Sequence, residues 1–526
     1  MYRKYAHIAF PIASGVLLAC CFPTFHWYPL AWAALIPLFL LGANASPAGG
    51  AARFFLAGWA FHSFLLQWLI ANIFWVGGWA IIGQQLLCIA LALFWALLGG
   101  LWAWARGRAP QWAGALLLAL LWATMEWGQA TLFTGFGWSA LGYSQGPDLP
   151  LLQWAAVGGV SLISFLLVLV NGNIALALAE RRHRLARLAA AALVVSAAHT
   201  GGWLLLDAPD YASRPFTAGV VQPNFPQEMK WDWEYSGEMV RKTARMSAIL
   251  AKHESVDCFF WPEALLMRHF EAPEMMEPVV ALATETGAAV FTGAVRNDPP
   301  AGKSYNSSVL VRPDGSLAGY YDKVRLAPFG EYMPFTSIFP FLRQIVPMDV
   351  DAGEEHRVFN LDDRRMGPMI CFEALFRPVS ETLRRQGADM LVVATNLAWF
   401  GTSNAIPQEL EIARLRAVEM RLPLVHSANT GISGVFDPWG RFTPVNAFIG
   451  PQEQYYKAPP GHVQPPMLQM RRCLGALPVA APGARPVPGG PTFFPWIATA
   501  VAGLWLVLVW GRRAASGEKV RESSQR

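Results

Sequence analysis

The sequence predicts a multi-span α-helical membrane protein that carries one large water-soluble α/β domain. Its mean hydropathy is +0.30, and 54% of its 526 residues are hydrophobic, which is high for a soluble enzyme. No Asp, Glu, Lys or Arg lies between Lys4 and Arg53, and none lies between Arg53 and Arg106. Charged residues are frequent from Asp207 to about Arg472, as in a globular domain. The net charge of +5 comes partly from loops between spans, so it gives no reason to invoke nucleic acid.

Hydropathy predicts eight membrane spans, since a helix needs about 20 apolar residues to cross the hydrocarbon. They lie near 8–24, 28–43, 54–76, 79–105, 111–130, 153–179, 187–206 and 493–511. Five groups of basic residues fall at alternate ends of these spans. They are Arg3/Lys4, Arg53, Arg106/Arg108, Arg181/Arg182/Arg184/Arg187 and Arg512/Arg513. Because basic residues collect on the cytoplasmic side, we expect the soluble domain on the opposite, outer face of the membrane.

Four parts of the chain follow from this pattern. We expect a seven-span domain at 1–207, a water-soluble domain with a C-terminal linker at 208–490, a final membrane helix at 491–512 and a cytoplasmic tail at 513–526. In the soluble part, predicted strands near 218–222, 258–263, 288–295, 308–312, 317–321, 390–394 and 424–427 alternate with helices near 235–252, 273–286 and 406–421. The Pro/Gly-rich stretch 458–490 is interpreted as the linker back to the membrane.

Three reactive side chains stand at the ends of predicted strands: Glu263, Lys323 and Cys371. Because each follows a different strand, a parallel or mixed sheet would bring all three to one rim. A thiol reacts at neutral pH only with a base or a cation nearby. A glutamate in a partly apolar site can take the thiol proton. A lysine stabilises the thiolate and an oxyanion, and the backbone N–H of Phe372 is a second candidate oxyanion donor.

Structural interpretations of the same residues stay open at this point. A lone cysteine in an apolar run is often buried filler, and Glu263 with Lys323 could form a structural ion pair. Histidine is the usual base for a thiol, but the alternatives downstream, His356 and His426, are remote from these strand ends in sequence. The six cysteines form no CxxC pair or Cys/His cluster, so the sequence predicts no metal site and implies no cofactor.

Several motifs resemble those of a known enzyme superfamily. Trp261-Pro-Glu263, Tyr321-Asp-Lys323 with the following 326–331, and Ile370-Cys371-Phe-Glu373 look like the Glu/Lys/Cys motifs of the nitrilase superfamily. The strings 328–334, 396–401 and 413–417 are similar to those of one membrane branch, the apolipoprotein N-acyltransferases. The eight-span frame also matches that family, so the resemblance covers essentially the whole chain.

The resemblance implies an α-β-β-α sandwich and a two-step acyl transfer at the bacterial inner membrane, on its periplasmic side. Cys371 would attack an acyl ester of a phospholipid, typically phosphatidylethanolamine, and form a thioester. The α-amine of a diacylglyceryl-cysteine on an apolipoprotein would then take the acyl group. Glu263 would be the general base and Lys323 the oxyanion stabiliser.

The resemblance also implies supporting residues. These are Glu331, Glu373 and Trp231. The sequence departs from the family in two places, because Asp is usual where Leu397 stands and Tyr is common where Phe372 stands. The first departure puts in doubt any polar role at that position.

The segment 332–348 is very apolar for a loop close to a catalytic lysine. Beside a membrane it could cover acyl chains or dip into the interface, and Trp399 with Phe400 could do the same. Ordinary packing of the loop on the sheet is the alternative. Two other functions remain: a membrane-tethered nitrilase-type amidase acting on small amides, and a non-enzymatic transporter or scaffold. One span would suffice to anchor an amidase, and the spans lack the paired charges of transporters, so the sequence favours the acyltransferase.

Overall fold

The computed structural model describes residues 2–23, 25–72, 77–106, 108, 110–328, 330–332, 350–450, 452–459 and 461–524. The chain divides into two compact units. The first, here called the helical unit, comprises Met1–Ile70, Trp79–Leu206 and Pro486–Arg526. The second, here called the catalytic unit, consists mainly of Asp207–Arg485.

The helical unit consists of apolar helices. They are α1 (Tyr2–Cys20), α2 (Ile36–Ala43), α3 (Pro47–Leu65), α4 (Trp79–Arg106), α5 (Gly114–Thr131), α6 (Leu149–Leu152), α7 (Ala155–Ala179), α8 (Arg184–Leu205) and a C-terminal helix, Gly490–Ser524. Among the described residues, four helical segments are long and apolar enough to cross a membrane: Trp79–Arg106, Ala155–Ala179, Arg184–Leu205 and Gly490–Trp510. Shorter apolar helices occur at Ala6–Cys20 and Tyr28–Ala43. The chain is therefore a membrane protein.

The bounds predicted for the third span, 54–76, are wrong, because the helix there is Pro47–Leu65. Ser46 begins it, since its hydroxyl accepts a hydrogen bond from Gly49 N–H at 3.2 Å. Arg53 consequently lies inside α3 instead of preceding it, and its guanidinium donates to the carbonyl of Leu41.

Buried polar groups and small residues pack the helical unit internally. The carboxylate of Glu126 on α5 accepts hydrogen bonds from Trp122 Nε1 (2.7 Å) and Leu141 N–H (2.8 Å). Glu126 is therefore buried and hydrogen-bonded within the helical unit. Helices α3 and α4 approach closely at Gly50, where a Cβ would lie 2.6 Å from the carbonyl oxygen of Gly99.

The catalytic unit contains two sheets in its described residues. The strands are β1 (Thr217–Gln222), β2 (Cys258–Phe260), β3 (Leu266–His269), β4 (Ala289–Asp298), β5 (Lys303–Val311), β6 (Leu317–Asp322), β7 (Phe359–Leu361), β8 (Arg364–Ile370), β9 (Met390–Thr395), β10 (Leu424–Ala428), β11 (Gly434–Phe436), β12 (Phe442–Pro444), β13 (Ala447–Ile449), β14 (Tyr455–Lys457) and β15 (Cys473–Pro478). The larger sheet has the order β14-β13-β15-β1-β2-β4-β5-β6, with β3 beside β4, and the smaller has the order β12-β11-β10-β9-β8-β7. The main helices are α9 (Gln227–Trp231), α10 (Ser236–His253), α11 (Pro273–Thr286), α12 (Arg377–Arg385) and α13 (Ala405–Met420).

The two sheets pack face to face, with helices outside them. Because side chains alternate across a strand, Phe260 and Phe291 of the larger sheet face inward and join one core with Met369 and Val393 of the smaller sheet. Their neighbours on the opposite face of the larger sheet pack with α10 and α11, whereas residues of α12 and α13 extend the core beyond the smaller sheet. The result is the predicted α-β-β-α sandwich.

The composition of 458–490 predicted a linker, but part of this stretch belongs to the larger sheet. Its residues Cys473–Pro478 form β15, which pairs antiparallel with β1 from Thr217↔Pro478 to Gln222↔Cys473. Apolar side chains such as Leu474 and Leu477 are buried there. This burial explains why part of a Pro/Gly-rich segment forms a strand of the larger sheet.

Candidate active site

The predicted triad comes from both sheets, so the expectation of a single sheet rim is wrong. Glu263 and Lys323 follow β2 and β6 of the larger sheet, whereas Cys371 follows β8 of the smaller one. The prediction failed because strand order along the chain does not reveal where one sheet ends and the next begins. The two sheets share one core, which brings their strand ends together. Cys371 lies close enough to Glu263 and Lys323 for their charges to shift the pKa of its thiol.

Backbone hydrogen bonds to β4 hold the segment that carries Glu263. Trp261 N–H donates to Phe291 O at 2.9 Å, which continues the pairing of β2 with β4. Gly293 N–H then donates to Pro262 O at 3.1 Å. A Cβ on Gly293 would lie 2.6 Å from the Cα of Glu263, so only glycine permits this approach. The carboxylate is therefore placed by strand β4 as much as by its own strand.

Lys323 lies between two carboxylates. Its Nζ donates to Glu331 Oε1 at 2.9 Å and lies 3.4 Å from Glu263 Oε1. Lys323 is 1% exposed and Glu263 is 7% exposed, so the cluster is nearly closed to water. Burial alone would lower the pKa of Lys323, but the carboxylates of Glu331 and Glu263 outweigh it and hold the pKa above its ordinary value. The lysine is consequently a permanent cation at the site.

Asn306 joins the same two carboxylates from strand β5. Its Nδ2 donates to Glu263 Oε1 at 2.8 Å and to Glu331 Oε1 at 2.7 Å. The main-chain carbonyl of Asn306 accepts a hydrogen bond from the main-chain N–H of Lys323 at 2.8 Å. This bond lies next to the β5–β6 pair Ser307↔Asp322. One amide therefore orients both glutamates. We refer to Glu263, Lys323, Glu331 and Asn306 as the acid–base cluster.

Cys371 stands at a sharp turn after β8. It begins the 3₁₀ helix Cys371–Leu375 and has φ of +50°, the left-handed region that costs a non-glycine residue of order 1 kcal/mol or more. It is partly exposed, while the other five cysteines are buried. Burial raises the pKa of the Cys371 thiol, Glu263 raises it further, and Lys323 opposes the shift. The resting thiol is thus protonated and needs a base.

Glu373 connects the turn to the loop after Lys323. Its Oε1 accepts from Val324 N–H (2.9 Å) and Arg325 N–H (3.1 Å), and from the Tyr321 hydroxyl (2.7 Å). Its Oε2 accepts from Ile370 N–H at 2.9 Å. Since Glu373 is fully buried, it acts as a bridge that fixes the cysteine turn relative to the lysine strand.

The other predicted residues have varied positions. Phe372 lies in the first turn of the 3₁₀ helix, where backbone N–H groups have no partner within the helix. Trp399 is half-buried in the 3₁₀ helix Ala398–Phe400 that follows β9. Trp231 ends α9, but its side chain lies outside the described residues, as do residues 333–348 of the predicted apolar loop. Leu397 is buried in the core between the sheets, so it has an apolar role there.

The two alternative bases are engaged elsewhere. The His356 ring nitrogen Nδ1 lies 3.1 Å from the Tyr321 hydroxyl. His426 Nε2 lies 2.8 Å from Glu409 Oε2, and its Nδ1 lies 2.9 Å from the carbonyl of Ile432. Among the described residues, no group of three or more His, Cys, Asp or Glu side chains could hold a metal ion. The arrangement therefore suits nucleophilic chemistry with a glutamate base.

Sequence reasoning missed Asn306 and Lys230 as members of the site. Asn306 lies in a polar run, Tyr305-Asn-Ser-Ser308, within a strand whose side chains are buried; that run is the signal that would have found it. Lys230 is also buried, and its Nζ donates to the carbonyl of Glu263 at 2.8 Å. Its distance from Glu263 in sequence left no local signal.

Family models match residues in both units. A family model described as the apolipoprotein N-acyltransferase N-terminal domain matches residues 14–173, and one described as carbon-nitrogen hydrolase matches 217–448. An apolipoprotein N-acyltransferase of Geobacter metallireducens is 34% identical, covering 82% of this chain and 85% of the relative. One of Pseudomonas syringae pv. tomato is 30% identical, covering 82% and 87%. A crystal structure of a carbon-nitrogen hydrolase from Helicobacter pylori G27 is 17% identical, covering 50% of this chain and 89% of that one, with a TM-score of 0.35.

Proposed function

Because the chain belongs to the apolipoprotein N-acyltransferase family, we propose that it carries a fatty acyl chain from a phospholipid, through a thioester on Cys371, to an apolipoprotein. The acceptor is the α-amine of the N-terminal diacylglyceryl-cysteine. The observation that carries this proposal is the acid–base cluster beside a cysteine on a left-handed turn. Phosphatidylethanolamine is the proposed donor.

In the first half-reaction, Cys371 Sγ attacks the ester carbonyl of the phospholipid. Glu263 takes the thiol proton and returns it to the departing alkoxide, which leaves as lysophospholipid. Because the pKa of the resting thiol is raised, chiefly by burial, this proton transfer must accompany the attack. The ammonium of Lys323 and the N–H of Phe372 stabilise the negative oxygen of the tetrahedral intermediate.

In the second half-reaction, the acceptor amine attacks the thioester carbonyl. A C–N bond forms, the C–S bond breaks, and Glu263 transfers a proton from the amine to the leaving sulfur. Glu331 and Asn306 keep Glu263 in place through both steps, since both hydrogen-bond with members of the cluster at 2.7–2.9 Å. Glu373 holds the nucleophile turn, and we propose that Trp231 and Trp399 contact substrate.

The acceptor and donor both lie in a bilayer, which accounts for an enzyme with membrane helices. We propose seven spans within 1–207, a catalytic domain at 208–490, a last span at 491–512 and a cytoplasmic tail at 513–526. The positive-inside pattern of the basic residues supports a catalytic domain on the periplasmic side of the inner membrane.

The test is intact-mass analysis of the purified full chain after incubation with phosphatidylethanolamine vesicles. We expect a mass gain of one fatty acyl group that hydroxylamine removes. Cys371→Ser should abolish the hydroxylamine-sensitive adduct. Cys473→Ser, at a buried cysteine of the same unit, should retain it. Adding a diacylglyceryl-cysteine peptide should then discharge the adduct and yield an amide.

Two results would overturn the proposal. If no adduct forms while small amides are hydrolysed, the chain is a membrane-tethered amidase. If Cys371→Ser transfers acyl groups as well as the unmodified protein, the thioester mechanism fails.

A further inference from the structure

The acid–base cluster contains more negative than positive charge. The two carboxylates of Glu263 and Glu331 face the single ammonium of Lys323, which bonds to Glu331 and lies within ion-pair distance of both carboxylates. A buried site with excess negative charge favours protonated carboxyl groups, because burial penalises an unbalanced charge. A second buried cation close to the base would balance the charge of this cluster.

Lys230 on α9 is that cation. It is 2% exposed, and its Nζ donates to the main-chain carbonyl of Glu263 at 2.8 Å. An ammonium has three N–H donors, and none of them forms an ion pair within 4 Å with a described carboxylate. Its charge instead acts on both Glu263 and Cys371.

We propose that Lys230 is a positioning residue that balances the charge of the cluster and keeps Glu263 ionised as the base of acyl transfer. The inference rests on the proposed function and adds a residue to it. The lysine also fixes the peptide after Glu263, where Ala264 takes the left-handed φ of +48°. Lys230 thus contributes a charge and a hydrogen bond, and the two can be tested separately. Of these, the charge is the one that would change the pH dependence of acyl transfer.

The other charged groups near Lys230 and Cys371 are hydrogen-bonded to a partner or exposed to solvent. Glu409 of α13 acts on the Cys371 thiol, but it is hydrogen-bonded to His426 at 2.8 Å. On the stretch that carries Lys230, Glu228 and Asp232 are exposed. Burial lowers the pKa of Lys230 to about 8, against the opposing charges of Glu263 and Cys371. The ammonium therefore persists at neutral pH, where the base must be ionised.

Lys230→Gln and Lys230→Arg separate the two roles. Glutamine keeps an N–H donor for the carbonyl of Glu263 but has no charge, whereas arginine keeps the charge. The rate of acyl-enzyme formation with phosphatidylethanolamine would be measured from about pH 5 to about pH 9. Lys242→Met, which removes a half-exposed lysine of α10, is the matched control.

For Lys230→Gln we expect the acid limb of the pH–rate profile to move up by about 1–3 pH units, the effect of one nearby charge. The rate should therefore fall about tenfold or more at acidic pH and recover at alkaline pH. Lys230→Arg and Lys242→Met should keep the unmodified profile. An equal loss in Lys230→Gln at every pH, or an unchanged acid limb, would overturn the proposal.

Alkylation of Cys371 by iodoacetamide separates this inference from the proposed function, since it needs no lipid. Lys230→Gln should slow alkylation at neutral pH, because the thiolate loses a nearby cation. If the unmodified protein forms no acyl-enzyme, the proposed function fails, while alkylation still tests the lysine. Equal alkylation rates in the unmodified protein and Lys230→Gln would count against a role for its charge.

Discussion

Replacing Asn306 by Leu removes both side-chain donors that orient the acid–base cluster while nearly keeping the volume. Asn306 Nδ2 donates to Glu263 at 2.8 Å and to Glu331 at 2.7 Å, and the side chain is 3% exposed. After the change, the longer 3.4 Å contact with Lys323 is what remains to the Glu263 carboxylate among the described side chains. The base would then lose its orientation toward the thiol.

The expected size follows from the bonds that are lost. A hydrogen bond to a charged group contributes about 1.5–3 kcal/mol. If the bond to Glu263 contributes that much to the transition state, acyl-enzyme formation should slow by about 10- to 100-fold, since about 1.4 kcal/mol corresponds to a factor of ten. The unfolding free energy should fall by about 3 kcal/mol, because two buried carboxylates each lose a donor.

The assay is a single-turnover measurement of thioester formation, with thermal unfolding in the same detergent to verify folding. Asn297→Leu is a suitable control, because Asn297 lies on the neighbouring strand β4, is accessible and bonds to His269 at 3.0 Å. It should leave thioester formation within about twofold of the unmodified protein. A folded Asn306→Leu variant that acylates at the unmodified rate would refute the orienting role.

Two further predictions concern the nucleophile and its base. Burial and Glu263 raise the pKa of the Cys371 thiol. The rate of its alkylation by iodoacetamide should therefore keep rising with pH beyond the usual thiol pKa near about 8.5. A plateau at neutral pH would show a preformed thiolate and contradict this prediction. Gly293→Ala should slow thioester formation by about 100-fold, since its Cβ would displace Glu263 and misplacement of about 1 Å has that effect. In that variant, an unchanged rate together with an unchanged melting temperature would show that the segment shifts without cost.

Local patterns predicted much of the fold, because they depend on neighbouring residues. Helix Pro273–Thr286 has the predicted bounds, with Pro273 in its first turn and Gly287 in the left-handed conformation at its end. The buried strand Met390–Thr395 was evident as an apolar run. Short strands such as Ala447–Ile449 were missed, since three residues show no periodicity.

Some residues of the candidate site were likewise predictable from local patterns, and others were not. Glu263, Lys323 and Cys371 follow apolar strands, so their strand-end positions were predictable. Lys230 and Asn306 reach the base across long separations in sequence, and only the folded chain brings them there. The origin of the triad in two different sheets was equally hidden, because no local pattern distinguishes strands of one sheet from strands of its partner.

The first and last strands of the catalytic unit, β1 and β15, pair with each other in the larger sheet. Thr217 stands opposite Pro478, and paired antiparallel strands bring such residues to about 5 Å from each other. Chain entry and chain exit are therefore adjacent, which is the geometry that allows one domain to be inserted into another. A helical protein could therefore acquire this unit as a single insertion between two consecutive helices, because the inserted chain would begin and end at neighbouring points.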